Sequence, residues 1–321
     1  MNISISKAIV HIADPSSPLP ILSNQEITLN SDVSAYLINH IEKVLLDDNC
    51  KQCTLTTDSP VLNESISFLE YSQNIAAQIF TIMHRNSDIP AADLVFGLAK
   101  IDATDLVFML KMDYRCAYVH HVSSNGHDEL NNYKTLLPNN VTKLSESFFI
   151  NYASGTVRVL EKRFNIDGIK DFYLSQYILL CSQEKSPKQK ITKVLQIAKK
   201  INELYYTPSD GMDTHIADVV CNEVAQNDVL LIENLGAQFF GDNIVAKEEF
   251  YHRLENEQII LSDTISISDK SIKRLEKQSI KSSSGIEVKI PIEIYRSSEN
   301  LIEFINNPDG TVSLLIKNIV I

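Results

Sequence analysis

The period of the hydrophobic pattern switches along this chain, and that switch limits the fold more than any single motif. Near the start, Val33, Leu37, Ile41, Val44 and Leu45 fall on one face of a 3.6-residue repeat, which predicts a helix capped by Ser31 or Asp32. A second stripe of Ile66, Leu69, Ile75, Ile79, Phe80 and Met83 predicts a longer helix over residues 61–84, stopped by Ile89-Pro90. Residues 3–12, 94–101, 106–122, 148–152 and 156–164 instead read as strands. Turn residues at 102–105, Asn125-Gly126, Ser154-Gly155 and Asp167-Gly168 separate them. The apolar, aromatic run 171–181 reads as one more strand. After the polar stretch 183–189, Ile191, Val194, Leu195, Ala198, Ile201 and Leu204 restore the helical period. Further helices are expected over 212–225, 230–240, 247–257 and 269–278. The end turns back to strands: Val288 and Ile290 alternate with Glu287 and Lys289 beyond Gly285, and Val312, Leu314 and Ile316 repeat the pattern after Asp309-Gly310.

The implied class is α+β: an N-terminal mixed helix/antiparallel-sheet domain over 1–182, then a helical region over 190–321 that closes with β-strands. A chain of 321 residues hides roughly 75% of its unfolded surface, enough for two cores. With 44% hydrophobic and 22% charged residues it has ordinary globular composition. No run reaches the ~18 apolar residues of a membrane span. The start Met1-Asn-Ile-Ser-Ile-Ser-Lys7 has no basic leader region, and five cysteines make an odd number. A reducing cytoplasm is the expected location, and no membrane partner is expected.

The net charge of -12 opposes a small basic nucleic-acid module, but the charge is uneven. Ten basic residues face four acids between Arg158 and Lys200, whereas only Lys247 and Arg253 offset the acids between Glu203 and Glu257. Local field decides where a polyanion lands. Two patches are candidate phosphate-binding sites. The first is Lys188, Lys190, Lys193, Lys199 and Lys200 around the apolar stripe of one helix; positions 193 and 200 are two turns apart and share a face. The second is Lys270, Lys273, Arg274, Lys277 and Lys281, where Lys270/Arg274 and Lys273/Lys277 form like-charge i, i+4 pairs that a phosphate would relieve. Lysine binds phosphate as a point charge and reads no bases. The bland reading of both patches is a solvated helix face.

Catalytic and metal patterns are sparse. Cys50-Lys-Gln-Cys53 is half a zinc or redox motif without its other half, so two ordinary thiols are expected. His120 and His121, with Asp113 and His127-Asp-Glu129, supply metal-ligand types, but strand neighbours point to opposite faces, so one inward and one outward histidine is expected. Glu287-Val-Lys289 matches the tail of magnesium nuclease sites, with Asp263 or Asp269 as the missing acid, but equally fits the wet face of an alternating strand. Glycine-rich phosphate loops and a Gly-x-Ser-x-Gly elbow are lacking. No catalytic residue, metal or cofactor is assigned.

Several ordered segments carry a likeness to a known family. They are residues 5–12 (ISKAIVHI), 76–83 (AAQIFTIM), 88–94 (DIPAADL), 110–114 (LKMDY), Leu137-Pro138, 159–164 (VLEKRF), Ile166-Asp-Gly168, 285–291 and 308–319. In this order the chain resembles bacterial nucleoid-associated proteins of the NdpA/YejK type. The resemblance implies association with the compacted chromosome and binding of double-stranded DNA with little sequence preference, RNA remaining open. It transfers no catalytic residue, so a non-enzymatic role at the nucleoid is expected. Two alternatives stand beside it: an acidic protein-interaction module recruited by a partner through the run from Glu203 to Glu257, and a magnesium-dependent nuclease built on Glu287 and Lys289. Terminal strands and apolar helices offer surfaces on which two copies pair, for which twofold symmetry is the usual outcome.

Overall fold

In the computed structural model the described residues are 1–62, 66–122, 128–182, 184–206, 212–281, 285, 287–291, 294, 301–307 and 312–317. They form a mixed α+β architecture of two compact units, Met1–Ser186 and Pro187–Ile321. The expected turns at Asn125-Gly126 and Asp309-Gly310, and His127, lie outside the described residues.

The first unit contains β1 (Ile3–Ala13), α1 (Ser31–Leu45), β2 (Lys51–Thr54), α2 (Phe68–Arg85), β3 (Ala92–Ile101), β4 (Thr104–Asp113), β5 (Arg115–Val122), β6 (Asp128–Leu136), β7 (Ser147–Asn151), β8 (Thr156–Leu160), β9 (Phe164–Ile166) and β10 (Ile169–Asp171). Six of the strands make one sheet in the order β1-β3-β4-β7-β8-β2, antiparallel throughout. Strand alternation sends Leu94, Phe96, Met109, Phe148 and Ile150 to one face, where Tyr71, Ile75, Ile79 and Met83 of α2 cover them. Val95, Phe108, Leu110 and Phe149 face the other way, onto Leu37, Ile41 and Val44 of α1. Asn30, one residue before the expected cap, accepts the Val33 N–H and starts α1; Ser67 accepts the Glu70 N–H and starts α2, later than the hydrophobic stripe implied. Gly97 pairs with Ala8 on one side and Phe108 on the other. A Cβ at Gly97 would meet the Phe108 ring at 2.3 Å, so the ring occupies the space that the glycine leaves.

Three strand expectations need correction in this unit, the first being that the run 156–164 breaks after Leu160, with Phe164 opening the separate strand β9. The single strand over 106–122 divides at Tyr114, whose Oη donates to Asp93 at 2.5 Å. Beyond that anchor, β5 leaves the sheet and pairs with β6 as a separate two-stranded ribbon. The run 171–181 is not a strand: residues Leu174–Ile178 form a π-helical turn, closed by the Leu179 N–H donating to the Leu174 carbonyl at 2.8 Å. Its buried residues include Tyr173, Leu174, Ser175, Ile178 and Leu179, a helical spacing that the aromatic content obscured.

One end of the sheet carries buried ion pairs. Lys111 of β4 is 1% exposed and contacts Asp113 and, at 2.9 Å, Glu146 just before β7. Lys51 of β2 pairs with Glu161 at 2.8 Å. Burial pushes the Glu146 carboxyl above its ordinary range, against the opposing pull of Lys111.

The second unit runs α3 (Pro187–Tyr205), α4 (Met212–Asn227), β11 (Leu230–Leu231), α5 (Ile232–Phe240), α6 (Ile244–Asn256), β12 (Thr264–Ile265), α7 (Asp269–Leu275), β13 (Lys277–Lys281), β14 (Glu287–Pro291), β15 (Ile302–Asn306) and β16 (Val312–Ile316). Pro187 begins α3 where its missing N–H costs nothing. Ile191, Val194, Ala198 and Ile201 then bury one face against Val220, Leu235, Phe240, Phe250 and Leu254. Gly236 lets α5 approach α6: its N–H donates to the Tyr251 Oη at 3.0 Å, and a Cβ would sit 2.5 Å from that oxygen. The terminal strands form two antiparallel hairpins, β13-β14 and β15-β16.

Candidate nucleic-acid interface

The helix α3 is amphipathic, so its lysines must sit on the flanks and outer face of the buried stripe. Their surroundings differ sharply. Lys190, on one flank, places Nζ 2.8 Å from Asp263, and Lys193 lies 2.7 Å from Glu257 just beyond α6. Both lysines are half-buried. The basic run and the acidic run, far apart in sequence, thus partly neutralise one another. Lys188, Lys199 and Lys200 are exposed. Lys188 and Lys199 are eleven residues apart, close to three full turns, and share an edge about 16 Å long. Lys200 is turned roughly 100° from Lys199.

The cations of α7 are arranged differently. Ile272 and Leu275 pack this short helix onto the second core. That fixes Lys270, Lys273 and Arg274 on the opposite, solvent face, and all of them are exposed. Ser268 caps the helix by accepting the Ser271 N–H, and Lys273 and Arg274 lie in the last turn, where the helix dipole favours positive charge. Lys277 is exposed too, but it opens β13 rather than extending the helix, so Lys273 and Lys277 are not a helical i, i+4 pair. Lys270 and Arg274 remain one. Among the described residues, no carboxylate forms an ion pair with Lys270, Lys273, Arg274 or Lys277. Lys281 ends β13 in register with Glu287. The structure therefore keeps Lys270, Lys273, Arg274 and Lys277 exposed and outside ion pairs, with the exposed Asp269 and Glu276 in the same stretch, and separates Lys190 and Lys193 from the exposed lysines of α3.

The wider basic stretch from Arg158 to Lys200 is divided between the two units. In the first unit Arg158 donates to the Leu45 carbonyl at 2.7 Å, and Arg163 stacks 4.8 Å from the Phe172 ring centre. The acidic stretch is also not one surface. Glu223 is 1% exposed and accepts from the amide groups of Asn227 and Asn234 at 3.0 and 2.6 Å, with Gln238 on its other oxygen. It holds α4 to α5. Glu233, Asp242, Glu248 and Glu255 remain exposed.

The other sequence candidates resolve in place. Cys50 belongs to the α1 face of the sheet and Cys53 to the α2 face, so the two thiols cannot share an ion, and burial pushes the Cys50 thiol up to about 11. Cys50 immediately precedes β2 and Cys53 lies within it. His120 and His121 are consecutive on β5. Glu287 and Lys289 are neighbours on the exposed hairpin, 3.6 Å apart, while Asp263 is held by Lys190 and Asp269 is exposed in the first turn of α7. No cluster of metal-ligand side chains occurs among the described residues. None of the described helices is long and apolar enough to cross a membrane.

Sequence reasoning overlooked one exposed feature, the β5-β6 ribbon. Its signal was present: an Asn-Gly turn between a β-rich run and a segment containing Leu130, Tyr133 and Leu136. No curated protein matches the chain. The family model described as Nucleoid-associated protein YejK matches residues 9–320, nearly the full length and both units. The chain therefore belongs to the YejK family of nucleoid-associated proteins.

Proposed function

We propose that this protein acts at the bacterial nucleoid as a DNA-binding protein with little sequence preference, holding phosphates through the exposed cations of α7 and the start of β13. Membership of the YejK family supports the nucleoid role. The observation that carries the site is the contrast in pairing: Lys270, Lys273, Arg274 and Lys277 are exposed with no described carboxylate partner, whereas Lys190 and Lys193 are clamped by acids. Lys188, Lys199 and Lys200 are secondary contacts on the outer side of α3. A chain of net charge -12 approaches DNA only through such a local positive surface. Point-charge contacts of this kind position a duplex without reading its bases. The activity proposed is binding without turnover.

The test is a salt series of binding to duplex DNA, single-stranded DNA and RNA. Counterion release gives a slope of log K against log salt near −0.9 per phosphate neutralised. Changing Lys270, Lys273, Arg274 and Lys277 to Gln is expected to flatten the duplex slope by roughly 3–4 units with the fold intact. An unchanged slope removes this face from the interface. The exposed acids on α5 and α6 favour one second reading, recruitment by a protein partner; absence of any mobility shift with DNA at low salt would select it. Supercoiled plasmid incubated with magnesium, wild type against Glu287→Ala, separates binding from nuclease activity.

A further inference from the structure

Among the described residues, none of the β5-β6 ribbon belongs to either core of the first unit. The ribbon comprises eight residues of β5 and nine of β6, paired only with each other. Among the described residues, neither outer edge meets another strand. An isolated two-stranded hairpin is marginal in water, because neither face is buried. This one nevertheless carries large apolar side chains on both faces. Tyr118 and Leu130 are 71% and 72% exposed, and Val119 and Tyr133 are exposed as well. By register, Tyr118 stands opposite Asn132 and His120 opposite Leu130, which puts Tyr118 and Leu130 on one face; Val119 opposite Asn131 and Ala117 opposite Tyr133 put Val119 and Tyr133 on the other.

We infer that this ribbon is the surface on which two copies of the chain associate. Charge selects the occupant. The strand residues of β5 and β6 carry Arg115 and Lys134 against Asp128 and Glu129, so the two strands are formally neutral with histidine uncharged. A phosphate backbone gains little from a neutral ribbon, since its binding depends on released counterions. Two molecules that each carry -12 repel one another except where they meet through a neutral patch. A second copy offers that patch, together with an identical free strand edge and identical apolar faces. A twofold axis pairs one edge of each ribbon self-complementarily and covers it against further strand addition. A cleft of about 340 Å³ beside Thr135 of β6 is lined by the largely exposed Leu19 and Ile21 together with the polar Asp14, Asp93 and Tyr114.

Sedimentation equilibrium of the full chain across a concentration series, wild type against the Tyr118→Ser/Leu130→Ser double variant, tests the proposal. These side chains are exposed, so the variant retains its fold, which its unchanged thermal transition verifies. The wild type is expected to be a dimer, and loss of two apolar anchors should weaken association roughly 100-fold while leaving the salt slope of DNA binding unchanged. A wild-type monomer at every concentration overturns the proposal, as does a variant that dimerises as well as the wild type. So does a variant of unaltered oligomeric state that loses DNA affinity, which would make the ribbon a nucleic-acid surface. Hydrogen exchange of the wild-type chain reads the same face without substitution. Ribbon amides should gain protection as concentration rises, and absence of any gain counts against the dimer.

Discussion

Replacing Lys190 and Lys193 together by Gln separates a reading of α3 from sequence from one based on its surroundings. If every lysine of the helix meets a phosphate, the double variant loses two contacts and the salt slope of DNA binding flattens by roughly 1.8 units. The geometry gives another outcome. Lys190 and Lys193 sit 2.8 and 2.7 Å from Asp263 and Glu257, in side chains that are between a fifth and two fifths exposed. Their charge is already spent within the unit, so the slope should stay within about half a unit of wild type. Stability should fall instead. Partly exposed pairs contribute about 0.2–1 kcal/mol each, so urea unfolding should show a loss of about 0.5–2 kcal/mol. The substitution also releases two carboxylates, whose repulsion could lower DNA affinity on its own. Adding Asp263→Asn and Glu257→Gln removes that contribution. The quadruple variant should then match wild-type affinity. A slope that flattens by nearly two units in both variants would refute the reasoning and return α3 to the interface.

Two further outcomes probe the first unit. Lys111→Met strips the cation from a site where Glu146 is fully buried and already raised above its ordinary range; a loss of about 3–5 kcal/mol is expected in urea unfolding, and Lys111→Met/Glu146→Gln should recover at least half. His11 accepts the Ser23 N–H at Nδ1, lies 3.0 Å from the Ser72 hydroxyl through Nε2, and is lowered by burial to about 4. Its unfolded value is higher, so between about pH 6.5 and 4 the unfolded chain binds more protons, and stability drops by up to about 3 kcal/mol as pH falls through that window. Nitrogen chemical shifts showing an imidazole that stays neutral to pH 5 would bear this out, and titration near 6.5 would refute it.

Much of the fold was legible in the chain because secondary structure is written in short-range periodicity. The stripe from Ile191 to Ile201 became the buried face of α3, and alternation through Leu94 and Phe96 became the α2 side of the sheet. The misreadings arose where local preference and spacing disagreed. Aromatic content made residues 171–181 resemble a strand, although Tyr173, Leu174, Ile178 and Leu179 bury with helical spacing. A continuous β-like run over 106–122 hid the exit at Tyr114, because its Oη anchors to Asp93, twenty-one residues earlier.

By itself, the sequence determined most of the helices and strands and how unevenly charge is spread, since both depend on residues near one another in the chain. Only the tertiary structure decided which cations remain available to a polyanion. Lys190 meets Asp263 across 73 positions and Lys193 meets Glu257 across 64, while Lys270, Lys273 and Arg274 share a face that core packing of Ile272 and Leu275 turns to solvent. Coulomb attraction depends on distance through space, and the fold alone sets that distance.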